Sequence, residues 1–295
     1  MSSAGRHPSR IATIARLLAV SVAWAVTFRL LSAYGVDLLP LSVAHELTLE
    51  DYLALVQLVT LAVGLALSFV VLAEPRRDLA LVRPRTTPVV YAMVLTPAIF
   101  VVATGTAFAI AKPTLLAELM HGGVAAVQKN TGEFGRELTQ SPAWLSFVWG
   151  ALISPVSEEL FFRGAFFTLS LEAVTSLRVP EKLRGTVTTI LVATVFGFLH
   201  HDMPGGLGIV RFASALGLGL ACGFARQLSG SVLPPMLIHV AFNALSLATA
   251  RRLVVSDTFP MKSGVPTLMA LIAAITTWGV ALHFLLVRRG SRQSL

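Results

Sequence analysis

Residues 157–167 read SEELFFRGAFF. Two adjacent carboxylates, Glu158 and Glu159, and a cation, Arg163, sit inside a run otherwise fit for hydrocarbon. Adjacent residues of an α-helix point about 100° apart, whereas residues four apart share a face. Glu159 and Arg163 therefore read as a structural pair along one helix face. Glu158 must point elsewhere, most economically into a polar cavity. Charges at membrane depth are costly and mark candidate functional groups. A purely structural charge cluster is the plainer reading, and it suits Glu159 and Arg163 better than Glu158.

The surrounding chain supports membrane depth. Of its 295 residues 55% are hydrophobic and only 13% charged, too apolar for a soluble globule of this length. Stretches of about 20 apolar residues recur, enough to cross a hydrocarbon core as helix. Period-two alternation is absent, which argues against a transmembrane barrel. The expected fold is all-α: a polytopic integral membrane helical bundle, residues 1–295 forming a single transmembrane domain. About eight transmembrane helices are expected, near 11–33, 52–73, 88–111, 143–171, 186–203, 207–226, 231–250 and 265–287. The first is read as an uncleaved span rather than a signal peptide, because Arg16 interrupts it early and no clear A-x-A site follows.

The formal net charge is +8. The basic residues lie in short clusters between apolar segments, not in a stripe with interleaved aromatics, so nucleic acid is not an expected partner. They read as topology signals. Arg6 and Arg10, Arg76 to Arg85, Arg178 to Arg184, and Arg288 to Arg292 fall on one side of an eight-span bundle. The positive-inside rule then places both termini, with short tails at 1–10 and 289–295, in the cytoplasm. Arg251, Arg252 and Lys262 run against that pattern. The single cysteine, Cys222, excludes an intrachain disulfide or a CxxC site and reads as a small buried residue. The longest polar stretch, 114–140, reads as an external loop or surface helix.

Further polar groups occupy other spans. In TILVATVFGFLHHD, Phe196 and His200 are four apart and share a face, while His201 points away. In SGSVLPPMLIHVAFNALSLATA, His239 and Asn243 are again four apart. Alone, a His/Asn pair is as readily an interhelical hydrogen-bonding pair. His201, His283, His45, His121 and His7 read as ordinary interfacial or loop residues. A carboxylate, imidazoles and an amide from three spans are, however, the groups that hydrolysis at a carbonyl needs: a base for water and donors for an oxyanion. No G-x-S-x-G elbow and no H-E-x-x-H helix is present.

EELFFR (Glu158, Glu159, Arg163), FGFLH (Phe196, His200) and HVAFN (His239, Asn243), in that order, resemble the CPBP family. These are the CAAX proteases and bacteriocin-processing enzymes, also called Abi-type intramembrane proteases, with glutamic or metallo-endopeptidase mechanisms argued for them. The family pattern is E-E-x-x-x-R, then F-x-x-x-H, then H-x-x-x-N. The resemblance covers about residues 142–250, the expected catalytic core. It implies that Glu158, helped by His200, activates the attacking water, that His239 and Asn243 stabilise the oxyanion, and that Glu159 and Arg163, with Phe196, give structural support. It leaves open whether a cofactor is required: either none, or a divalent metal such as zinc, with Glu158, His200 and His239 as the candidate ligands.

The implied activity is intramembrane endopeptidase cleavage near the C-terminus of a membrane-associated or lipidated protein or peptide. The implied partners are that substrate and the lipid bilayer, and the expected location is a bacterial inner membrane. The alternatives are a non-catalytic immunity or scaffold protein of the same fold, and a proton-coupled transporter using Glu158 and the histidines as a relay. Counting about 1.5 Å per residue along the expected spans puts Glu158 and His239 nearer the cytoplasmic face and His200 nearer the outer one.

Overall fold

The computed structural model describes residues 10–38, 49–84, 86–111, 129, 147–201 and 207–255. Among these residues the regular structure is entirely helical. Helix α1 is Arg10–Tyr34, ending in a 3₁₀ turn at Gly35–Leu38, and α2 is Leu49–Val71. A short α3, Pro75–Asp78, precedes α4, Thr86–Ala111. Residues 147–176 form one long helix, α5. It is followed by α6, Glu181–Phe198, α7, Leu207–Ser229, and α8, Leu233–Val255. Seven expected spans thus coincide with helices. The eighth, 265–287, the polar stretch 114–140 apart from Lys129, and the tails 1–9 and 289–295 lie outside the described residues.

Four helices are long and apolar enough to cross a membrane, over Ile11–Tyr34, Asp51–Val71, Thr87–Ile110 and Leu207–Ser229, with a shorter apolar stretch at Leu233–Thr249. The protein is an integral membrane helical bundle. One core joins α4, α5, α6, α7 and α8 through Phe100, Phe162, Phe167, Phe196, Leu218 and Phe242. A second joins α1 and the segment after α2 to the opposite side of α5, through Leu17, Trp24, Leu79, Ala80, Leu160 and Leu169.

Small residues set the closest approach. Gly219 and Gly223 on α7 face Ala193 and Thr189 on α6, and a Cβ on Gly223 would lie 2.6 Å from Thr189 Cγ2. Lipid supplies little drive for apolar helices to associate, so such close backbone packing carries much of the interaction. Cys222 is fully buried beside them, as expected of a small apolar residue.

Helix α5 departs from regular α geometry twice. Phe147–Ile153 and Leu160–Phe166 are π-helical, flanking an α-helical turn at Ser154–Glu159 that carries both acids. Pro155 accounts for the first departure. It has no N–H and crowds the carbonyl four residues back, and in a π register it leaves the Gly150 carbonyl without its donor.

The segment between α2 and α4 is a strap wedged into one end of the bundle. Leu79 and Ala80 are buried, with Ala80 at a φ of 56°. The Asp78 carbonyl accepts from Thr168 Oγ1 at 2.7 Å, Val82 O from Ser231 Oγ at 2.7 Å, and Ala80 O from Val232 N at 3.1 Å. The strap thereby ties α5 to the start of α8.

The helix lengths also correct the depths counted from sequence. Helix α5 ends at Ser176, not near 171, and α6 starts at Glu181, not near 186. Glu158 is then about 27 Å from its helix end and His200 about 28 Å from the α6 start at 1.5 Å per residue. With α6 turning back along α5, the two side chains reach the same level.

Replacing Gly223 with Val should force α6 and α7 apart. Overpacking of this kind costs about 1–3 kcal/mol. The expected outcome is a lowered Tm of the detergent-solubilised protein in a thermal unfolding series, with Gly230→Ala as an adverse-φ control at the exposed turn, where the glycine φ is 70° and no neighbour lies within 4 Å.

Candidate active site

The charged motif of α5 sorts as its spacing requires. Arg163 Nη1 donates to Glu159 Oε1 at 2.7 Å, and both side chains are fully buried. Arg163 Nη2 donates to the Gly219 carbonyl of α7 at 3.1 Å. Its guanidinium lies 4.6 Å from the centre of the Phe196 ring, a cation–π contact from α6. Arg226 Nε donates to the Arg163 backbone carbonyl at 3.0 Å.

Glu158 does not join this pair. Its Oε2 lies 3.6 Å from His200 Nε2 and 3.9 Å from His239 Nε2. Its Oε1 accepts a hydrogen bond from Ser154 Oγ at 2.5 Å. Glu158 and His200 side chains are each 20% exposed and His239 only 2%, so the group opens on one side while His239 forms its floor.

Both imidazoles are fixed through Nδ1. His200 Nδ1 is 2.7 Å from the Phe196 carbonyl, and His239 Nδ1 is 2.8 Å from Glu159 Oε1. Each of these partners only accepts, so Nδ1 carries the hydrogen in both rings and Nε2 is turned toward Glu158. Phe196 packs against both: its ring centre is 4.3 Å from that of His200, and it meets His239 edge-on at 5.6 Å and 86°. Phe196 is therefore a wall between the guanidinium and the imidazoles.

Asn243, one turn beyond His239 on α8, donates Nδ2 to the Gly150 carbonyl at 2.8 Å. That is the carbonyl Pro155 leaves without a π-register donor. The second N–H of the Asn243 amide is not committed to this bond.

Sequence reasoning thus named Glu158, His200 and His239, which the fold brings together, Asn243, whose amide bonds to Gly150 rather than to any of those three, and Glu159, Arg163 and Phe196, which pack beside the imidazoles. It missed three connections. Glu159 holds His239 as well as Arg163. Ser154 holds Glu158, a contact that the i, i+4 spacing in SPVSE offers. Gln57 of α2 reaches Ser154, with Nε2 3.5 Å from Oγ, and a lone amide inside an apolar span was its available signal. His201 is exposed, as an interfacial residue would be; His7, His45, His121 and His283 lie outside the described residues.

The three candidate metal ligands converge, with His200 Nε2 and His239 Nε2 3.6 and 3.9 Å from Glu158 Oε2. Zinc held by nitrogen and oxygen at its usual bond lengths keeps tetrahedral ligands about 3.3 Å apart, somewhat closer than these. No group of three or more His, Cys, Asp or Glu side chains among the described residues is arranged to hold an ion.

A carboxylate and two oriented imidazoles thus meet within an integral membrane bundle. Residues 140–245 match the family model for type II CAAX prenyl endopeptidases, Rce1-like. The match runs from just before α5 into α8, about a third of the chain, and includes all three motifs, so this segment is similar to the type II CAAX prenyl endopeptidases. No curated protein and no solved structure matches the chain.

Glu159→Gln or Arg163→Met alone should lower the folded yield, since removing one member of a buried pair costs about 3–5 kcal/mol. The double variant should recover much of that loss, because no uncompensated charge remains. It should stay inactive, since His239 then lacks its carboxylate. Size-exclusion profiles and peptide cleavage on the same preparations check both outcomes.

Proposed function

We propose that the protein is an intramembrane endopeptidase that cleaves near the C-terminus of a membrane-associated, prenylated protein or peptide, with water activated by Glu158 and His200. The observation that carries this reading is the position of Glu158 Oε2, facing both Nε2 atoms at 3.6 and 3.9 Å. These gaps exceed a direct hydrogen bond, so the carboxylate and the imidazoles are both free to bond a water molecule placed beside them.

Water beside Glu158 and His200 gives its proton to the Glu158 carboxylate as its oxygen bonds to the scissile carbonyl carbon. The carbonyl oxygen becomes the oxyanion. Its donors are the uncommitted N–H of Asn243 and, as imidazolium, His239 Nε2–H, with Glu159 balancing the charge at Nδ1. Collapse of the tetrahedral intermediate breaks the C–N bond, and the proton held by Glu158 passes to the leaving amine. Phe196 and the Arg163–Glu159 pair keep the rings in place throughout. The basic loops support a bilayer orientation with cytoplasmic termini, and the absence of a nucleic-acid-like stripe supports a protein or peptide partner. A bacterial inner membrane is the proposed location.

Glu158→Gln and His200→Ala should each abolish cleavage while the protein stays folded, because an amide cannot take the proton and alanine cannot hold the water. Asn243→Ala should retain measurable activity at about 10²–10³-fold lower rate, the usual cost of one oxyanion donor. Turnover of prenylated peptides and membrane-anchored C-terminal tails by each purified variant checks this. Normal turnover by Glu158→Gln overturns the base assignment. A wild-type protein that cuts none of them favours the scaffold reading.

A further inference from the structure

The orientation of Glu158 rests on contacts outside the three motifs. A serine inside a helix ordinarily turns its hydroxyl to the carbonyl four residues back, as Ser68, Ser229 and Ser246 do here. For Ser154 that carbonyl belongs to Gly150. It is already engaged by Asn243 Nδ2 at 2.8 Å. The Ser154 hydroxyl instead points one turn forward and donates to Glu158 Oε1 at 2.5 Å. On its other side, Ser154 Oγ faces Gln57 Nε2 of α2 at 3.5 Å, the outer limit of a hydrogen bond. Gln57 is donor and the hydroxyl oxygen acceptor, so all hydrogens in the chain point toward the carboxylate.

From this geometry we propose that Ser154 and Gln57 are positioning residues that form a relay, Gln57 to Ser154 to Glu158. The relay fixes Oε1 and turns Oε2 toward the imidazoles. It builds on the water-activating role given to Glu158 above. It also brings α2, which lies outside the matched segment 140–245, into the site.

A positioning contact is felt in the reaction and not in substrate binding. Ser154→Ala should lower kcat by about 10- to 100-fold, the range for a lost hydrogen bond to a charged group, with KM and Tm little changed. Ser154→Thr keeps the hydroxyl and should restore most of the rate. Gln57→Leu should give a smaller loss, and no further loss in the Ser154→Ala background, because it acts through the hydroxyl. A second readout does not require turnover: modification of Glu158 by a hydrophobic carbodiimide, followed by mass spectrometry. The hydroxyl shields Oε1, so labelling should be several-fold faster in Ser154→Ala than in wild type and slow again in Ser154→Thr. Unchanged labelling and wild-type kcat in Ser154→Ala overturn the relay, as do losses from Gln57→Leu and Ser154→Ala that multiply. If wild type cuts no substrate, the protease reading fails while the labelling arm still decides the relay.

Discussion

Arg163 is a guanidinium with no solvent exposure inside an apolar bundle, and the arrangement of four helices follows from what compensates it. Removing such a charge from water costs several kcal/mol, regained only with close partners. Those partners come from different helices: Glu159 on its own helix, the Gly219 carbonyl on α7, and the Phe196 ring on α6. The α8 helix is attached at one remove, because Glu159 Oε1 accepts from His239 as well as from Arg163. A rotation of any one of these helices would leave a buried charge short of a partner. Their register is thus specified far more sharply than apolar packing against lipid could achieve.

The same pair explains the division of labour between adjacent acids. Glu159 is committed to a cation and an imidazole within the core. Glu158, pointing about 100° away, meets only a hydroxyl and the Nε2 edges of the imidazoles. It therefore keeps an oxygen available for a proton. Phe196 separates the two environments, one face on the guanidinium and an edge on His239. Neighbours in sequence thus do different work because a helix turns between them.

The fold class and the main members of the site were legible because charge at membrane depth is rare and the i, i+4 rule is strict. That was enough to pair Glu159 with Arg163 and to separate Glu158 from them. The depth of His200 was misjudged because a hydropathy pattern marks the apolar stretch and not the helix. Residues 172–176 and 181–185 continue α5 and α6 with charged and hydroxyl side chains among the apolar ones, and such turns pass unnoticed on an apolar criterion. The tie from His239 to Glu159 was not legible, since no spacing rule relates residues on different helices. Gln57 and Ser154 were hidden for another reason: each is an ordinary polar residue in its own helix, and only their approach across α2 and α5 gives them a role.

Pro155 shows how such an arrangement reaches back to a single residue. Its missing N–H leaves α5 unable to satisfy every carbonyl in one regular register, and the preceding turn becomes π-helical. The Gly150 carbonyl then takes a donor from another helix, Asn243. That cross-link anchors α8 one turn from His239. A local backbone defect, placed a few residues before the acid, is converted into interhelical attachment. In hydrocarbon, where an unsatisfied carbonyl has no water to turn to, that conversion is forced: the defect must be repaired by a polar side chain, and the repair is what brings the third motif against the first.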